Sequence, residues 1–298
     1  MATLLKSLLP TKDPSHTYYA AADVLSADFE EPLRETIKPR AYVKLPEDGH
    51  YQFKHADPFR LDGLISYQSG YTQVAGHKSP KQGHGFTTLA TSVVEDLNVL
   101  DVVTADRVVA QISTEHPVYD PDNGLTDGVP SVTFLGTRFD NLRIGGHKVE
   151  LERHVDILGP KPANAMSYFD DASVLGRVAK QYTDITSAKD FPEWAGDRYK
   201  WDPAAAQRQG KMDCSLVNRV NGAPGISFGH VIDVPHFGKI FLAELTMKRE
   251  KNGTPGPEKY AFHLTMIRLE LGCLAQATSC IVTAESNGQG SGGGGGHP

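Results

Sequence analysis

The sequence predicts a mostly β protein, an antiparallel sandwich or barrel-like sheet carrying one to three helices. Three observations point there. First, TTLATSVVEDLNVLDVVTADRVVAQISTE and PSVTFLGTRFDNLRIGGHKVELE, between residues 87 and 152, are valine-rich runs broken by small turns. Second, Val108, Ala110 and Ile112 alternate with Val109, Gln111 and Ser113, the period of a strand with one buried face. Third, residues 215–283 repeat that texture, in GHVIDVPHFGKIFLAELTMKRE and YAFHLTMIRLEL. An apolar share of 39% in 298 residues supplies the core of one β-rich domain over residues 18–285.

Taken in order, residues 1–17 read as an N-terminal arm. Residues 18–37 are expected to hold one or two short helices, with Leu25, Phe29 and Leu33 at spacing four and Pro32 in the first turn of the second. Residues 40–44 and 50–54 are expected to pair as a hairpin around PEDG. Residues 61–74 alternate well enough for a strand pair, and residues 76–85 read as a glycine-bearing loop. The proline- and aspartate-rich residues 116–130 leave the sheet as an excursion. Gly145-Gly146 is a favoured two-residue hairpin turn. One long helix is expected over residues 165–182, opening a helical insertion that runs to 210. Ser167 and Asp170 stand at a capping-box spacing, and Tyr168, Leu175, Val178 and Tyr182 make one stripe. Phe241, Ala243, Leu245 and Met247 share one side of a later strand. Residues 286–298 are a glycine-rich flexible tail.

The two blocks invite comparison. LDVVTADRVVAQIST and IDVPHFGKIFLAELT share a hydrophobic-Asp-Val start, a short turn and a strand, which matches Ala110 with Ala243, Gln111 with Glu244 and Ser113 with Thr246. VVEDLNVLDVVTADRVVAQ, with the later NLRIGGHKVEL, resembles the core pattern of bacterial choice-of-anchor P surface proteins over about a fifth of the chain. The insertion at 116–130 departs from that pattern. The resemblance implies an extracellular or structural role and carries over no catalytic residue.

The net charge is −6 and no run of lysine and arginine offsets it, so no nucleic-acid partner is expected. No stretch of about 20 apolar residues is present, so no transmembrane segment is expected. The apolar start is cut by Lys6 and Pro10, too soon for a signal peptide. The expected compartment is cytoplasmic, or the cell surface if a leader has been removed. Cys273 and Cys280 are close enough in sequence to bridge a hairpin, with free thiols as the other reading.

Candidate chemistry is sparse. Asp120, Asp122 and Asp127 in DPDNGLTDG place carboxylates at a spacing that suits a hard cation, with Ca²⁺ as the candidate ion and an ordinary turn as the plain reading. The twelve histidines form no zinc spacing. Trp194, Tyr199 and Trp201 fall in one polar loop, either pinning it to the domain or offering an aromatic platform to a carbohydrate. No nucleophile elbow, Walker loop or dinucleotide fingerprint is found, and no catalytic residue is singled out. The leading expectation is a structural β protein that self-assembles as a homo-oligomer or filament through open strand edges. The alternatives are a binding module for a polysaccharide or small ligand, and a metal-dependent hydrolase.

Overall fold

The computed structural model describes residues 16–31, 34–61, 63–80, 85–119, 124–250, 258–272 and 276–288. The elements run β1 (Tyr18–Glu31), β2 (Glu35–Arg40), β3 (Val43–Lys44), β4 (His50–Ala56), β5 (Phe59–Leu61), β6 (Ile65–Tyr67), β7 (Ser69–Lys78), β8 (Phe86–Val99) and β9 (Val103–His116). Short strands follow: β10 (Ser131–Thr133), β11 (Arg138–Asp140), β12 (Arg143–Ile144), β13 (His147–Lys148) and β14 (Glu150–Arg153). Helices α1 (Ala172–Thr186) and α2 (Pro203–Gln209) come next, with a single 3₁₀ turn at Glu193–Ala195 between them. The chain closes with β15 (Lys211–Ser215), β16 (Val217–Asn221), β17 (Ile226–Phe228), β18 (Val231–Val234), β19 (Gly238–Glu250), β20 (Lys259–Leu271) and β21 (Gln276–Gly288).

All strand pairs are antiparallel. Sheet I runs β17-β18-β19-β20-β21-β1-β2, with β15 on β19 and β3 on β1. Sheet II is built on β9, β8 and β7, and β4 pairs with β7. Strands β1 and β21 pack face to face on β7, β8 and β9, closing a sandwich rather than a barrel. Val24, Val74, Ala90, Val94, Ala110, Ile112 and Leu264 are fully buried in the main core.

Four local expectations are corrected. Residues 18–31 and 35–37 are strand, not helix, and Pro32 and Leu33 lie outside the described residues: spacing four fits both periods, and β1 is fixed by pairing along its length with β21. The PEDG turn closes, with Gly49 N donating to Pro46 O at 2.9 Å, but β3 joins β1 and β4 joins β7, so the chain crosses between sheets instead of forming a hairpin. The long helix begins at Ala172, not 165, because Asn164 and Ala165 hold left-handed φ of 56° and 55°. Its N-cap is Asp171, whose Oδ1 accepts from Ser173 N and Val174 N, while Ser167 and Tyr168 precede the helix. Strand β21 continues through Gly288, so Ser286 to Gly288 belong to the sheet instead of the expected tail, and residues 289–298 lie outside the described set. Residues 1–15 of the expected arm also lie outside it, whereas His16 is buried. The Gly145-Gly146 hairpin joins β12 to β13 as read, with φ of 55° and 80°.

The feature that shapes the functional face is a row of parity breaks across sheet I. Leu242 and Ala243 are sequence neighbours, yet both belong to the main core, and Ala243 has φ 50°. The same holds for Ile281 and Val282 (φ 59°), for Met266 and Ile267, and for Val24 and Leu25. Leu242, Ile267, Ile281 and Leu25 are in register across the four strands, so the breaks form one line. A regular strand would put residues three apart on opposite faces. Here Phe241 and Glu244 share the outer face, as do Thr265 and Arg268. Phe241 therefore leaves the side expected for it with Ala243, and joins Phe228, Val231, Tyr199, Ile185 and Ala195 in a second cluster outside the sheet.

Candidate functional site: a polar cleft on the outer face of sheet I

The insertion supplies one wall. Val174, Val178, Gln181 and Ile185 are the buried stripe of α1. Gln181 clamps the end of β15 to the helix: its Oε1 accepts from Ser215 N at 2.9 Å and its Nε2 donates to Ser215 O at 2.9 Å. A second anchor lies farther along β19. Buried Arg249 donates to Ser167 Oγ at 3.0 Å, to Asp170 Oδ2 at 3.1 Å and to Gln207 O at 2.9 Å. Ser167 and Asp170 thus hold the insertion to the sheet instead of capping a helix.

Between wall and sheet lies a cleft of about 440 Å³, inside the range of small-molecule sites, roughly 300–1,000 Å³. Its floor is Glu244 and Thr246 of β19, His263, Thr265 and Arg268 of β20, and Cys280 of β21; Asp213 and Lys211 of β15 form one rim. Tyr182, Arg198 and Tyr199 form the wall.

Glu244 is the centre. Arg268 grips it with Nε donating to Oε2 at 2.5 Å and Nη2 to Oε1 at 3.1 Å, and Arg198 Nη2 donates to Oε1 at 3.0 Å. Arg268 also bonds Glu270. Both guanidinium groups lie over the Phe241 ring, at 3.7 Å for Arg268 and 4.4 Å for Arg198. His230 Nε2 stands 3.8 Å from Glu244 Oε1, too far for a direct hydrogen bond, and 3.3 Å from the Tyr199 hydroxyl. Burial alone would push the Glu244 carboxyl up; the neighbouring His230 and the bidentate Arg268 contact together outweigh it and hold Glu244 well below the usual carboxylate range. Glu244 is a fixed acceptor at neutral pH. Burial pushes the Tyr199 and Tyr182 hydroxyls up, so both remain protonated. Burial likewise raises the Cys280 thiol to about 11, away from thiolate chemistry.

The aromatic residues singled out by sequence separate. Tyr199 is buried and lines the cleft, Trp201 packs half-buried against Tyr182 with centroids 5.2 Å apart, and Trp194 is 40% exposed beneath Lys239 Nζ at 4.4 Å. They pin the loop and form no common platform. Of the aspartate loop, Asp120 and Asp122 lie outside the described residues, while Asp127 accepts from Val129 N and pairs with Lys161 Nζ at 2.7 Å. Among the described residues no group of three or more His, Cys, Asp or Glu is placed to hold a metal ion. Cys214 and Cys280 are free thiols, and Cys273 lies outside the described residues. Among the described residues, no helix is long and apolar enough to cross a membrane.

A family model matches residues 16–248. The chain belongs to the family described as domain of unknown function DUF8256. The DUF8256 match takes in Arg198, Tyr199, His230 and Glu244, and ends inside β19; Thr265 and Arg268 both come from β20, beyond it. No curated protein and no solved structure matches the chain.

Proposed function

We propose that this DUF8256 member is a binding module whose cleft takes up a small, neutral, hydroxyl-rich ligand of the carbohydrate class. The observation that carries this reading is the charge-balanced network around Glu244. Arg198, Arg268 and Lys211 face Glu244, Glu270 and Asp213, so the site exerts little net pull on a charged ligand. Fixed acceptors and donors stand side by side, which suits hydroxyl groups that must donate and accept at once. The tyrosine wall provides apolar contact. The test is calorimetric titration with cellohexaose, maltohexaose and chitohexaose, using inorganic phosphate as the anionic control. At least one sugar should bind, and Thr246→Val should weaken it with unchanged melting; heat from phosphate alone, or from none of them, would overturn the reading.

Self-association is a second reading, favoured by β4. Among the described strands β4 pairs only with β7, and Tyr51 and Phe53 on it are 57% and 51% exposed. Such an edge accepts another strand. The occupant proposed is a second copy: antiparallel pairing centred on Phe53 sets Lys54 opposite Gln52 and avoids a direct lysine pair. Sedimentation should show a dimer that Phe53→Lys dissociates. A monomer throughout a high-micromolar series would end this second reading.

A further inference from the structure

We infer that the cleft is one end of a longer groove, and that its ligand is an oligosaccharide chain lying across the strands with a second subsite at Tyr42. This rests on the binding reading above. The register carries it. Glu244 is opposite Thr265, Thr265 opposite Thr283, and Thr283 opposite Asp23, one step per strand from β19 to β1. A neighbouring row sets Thr246 opposite His263 and His263 opposite Glu285.

Hydrogen bonds link these side chains across strands, which fixes them on the same face. Thr246 Oγ1 donates to Asp213 Oδ1 at 2.6 Å, Thr283 bonds Asp23, and the Tyr19 hydroxyl donates to Glu285 Oε2 at 3.1 Å. Thr265 and Thr283 alternate with Met266 and Val282, which turn into the core, and the parity breaks add Arg268 and Cys280 to the same outer face. Thr265, Thr283 and Asp23 are themselves buried, and the row that solvent reaches is Thr246, His263, Glu285 and Tyr19. Neighbouring strands lie about 4.8 Å apart, so the four steps from β15 to β1 span roughly 19 Å. That is the reach of a short sugar chain rather than one ring.

The far end is aromatic. Lys44 Nζ covers one side of Tyr19 at 5.2 Å, while Tyr42 is 36% exposed. Val43 is opposite Ala22 and turns into the core, so Tyr42, the next residue along, faces outward beside Asp23 of β1. Burial first, then the nearby Glu285 and Asp23, raises its hydroxyl, which remains a donor at neutral pH. Tyr42 thus offers an exposed ring and a donor hydroxyl at the opposite end of the groove from Tyr199.

The test compares cellobiose with cellohexaose, or the matching pair from whichever series binds, on wild type, Tyr42→Ala and Thr246→Val. Tyr42→Ala should weaken the hexasaccharide about tenfold and leave the disaccharide unchanged. Thr246→Val should weaken both. Equal affinity for the two lengths, or a Tyr42→Ala effect on neither or on both, would overturn the extended groove while leaving the cleft reading intact. No binding at either length, in any series, would overturn the cleft reading and the groove with it.

Discussion

Two regions of the molecule bury titratable groups, and they solve the problem in opposite ways. On the outer face of sheet I, Glu244 and Arg268 stay charged because each completes the other, with Arg198 as a third member. Between the sheets, His116 is fully buried and stays neutral. Its Nε2 contacts Thr114 Oγ1 at 3.2 Å, Thr114 contacts Ser286 Oγ at 3.0 Å, and Nδ1 has no hydrogen-bond partner among the described residues. Burial first, then the neighbouring His16 and Lys161, lowers the His116 pKa from 6.5 to about 3. His16 stacks on Phe86 with centroids 4.1 Å apart and lies 5.4 Å from the His116 ring. Where a countercharge is supplied, burial preserves charge and creates a fixed polar site; where none is supplied, burial removes it and the groups serve packing.

The comparison breaks most strongly in acid. Folded His116 takes a proton only near pH 3, whereas the unfolded chain does so near 6.5. The unfolded state binds more protons in that window, so stability present above pH 6.5 is lost as pH falls toward 3, by roughly 4–5 kcal/mol. Denaturant melts from pH 7 to 4.5 should show this loss beginning before Glu244 contributes, and His116→Gln should flatten it.

Removing one charge from the other region comes next. Arg268→Met leaves Glu244 buried with Arg198 as its remaining strong partner, and should cost about 3–4 kcal/mol in urea unfolding. The variant should also titrate Glu244 closer to the ordinary range. A loss under 1 kcal/mol would show that the pair is solvated in practice.

Smaller effects sharpen the role of the backbone. Ala110 and Ala243 both face the main core, but Ala110 sits in regular strand and Ala243 at the left-handed break. Ala110→Leu should cost about 1–3 kcal/mol through overpacking. Ala243→Gly should be nearly neutral or stabilising, since glycine relieves roughly 1 kcal/mol of left-handed strain. Thermal melts that show equal penalties at the two alanines would contradict the parity break. Smallest, Asp171→Ala should cost about 1 kcal/mol and fray the start of α1 in amide exchange, without altering the Glu244 network.

The sequence made the sheets legible where alternation is clean. Strand β9 and the Gly145-Gly146 hairpin follow directly from period two and from the turn residues. It hid β1, since Leu25 and Phe29 fit a helix as well as a strand until β21 is in place beside them. The proposed repeat is only partly realised: Leu100 and Asp101 lie in a turn with positive φ, whereas the matched Ile232 and Asp233 lie in β18. The site was the least legible part. Ile240, Phe241, Leu242 and Ala243 form a continuous apolar run, which conceals the break that places Phe241 and Glu244 on one face. A lone Glu244 centred in FLAELTM, with Arg268 in MIRLEL, was the available signal, and only the β19–β20 register joins them.

The most direct test of this account is a ¹³C NMR titration of the Glu244 side-chain carboxyl, followed together with the His116 imidazole, from pH 7 down to 4. The account predicts no carboxyl shift change for Glu244 across that range, and a His116 imidazole that remains neutral through most of it. A Glu244 carboxyl titrating near its ordinary 4.5 would contradict the preorganised, arginine-held site.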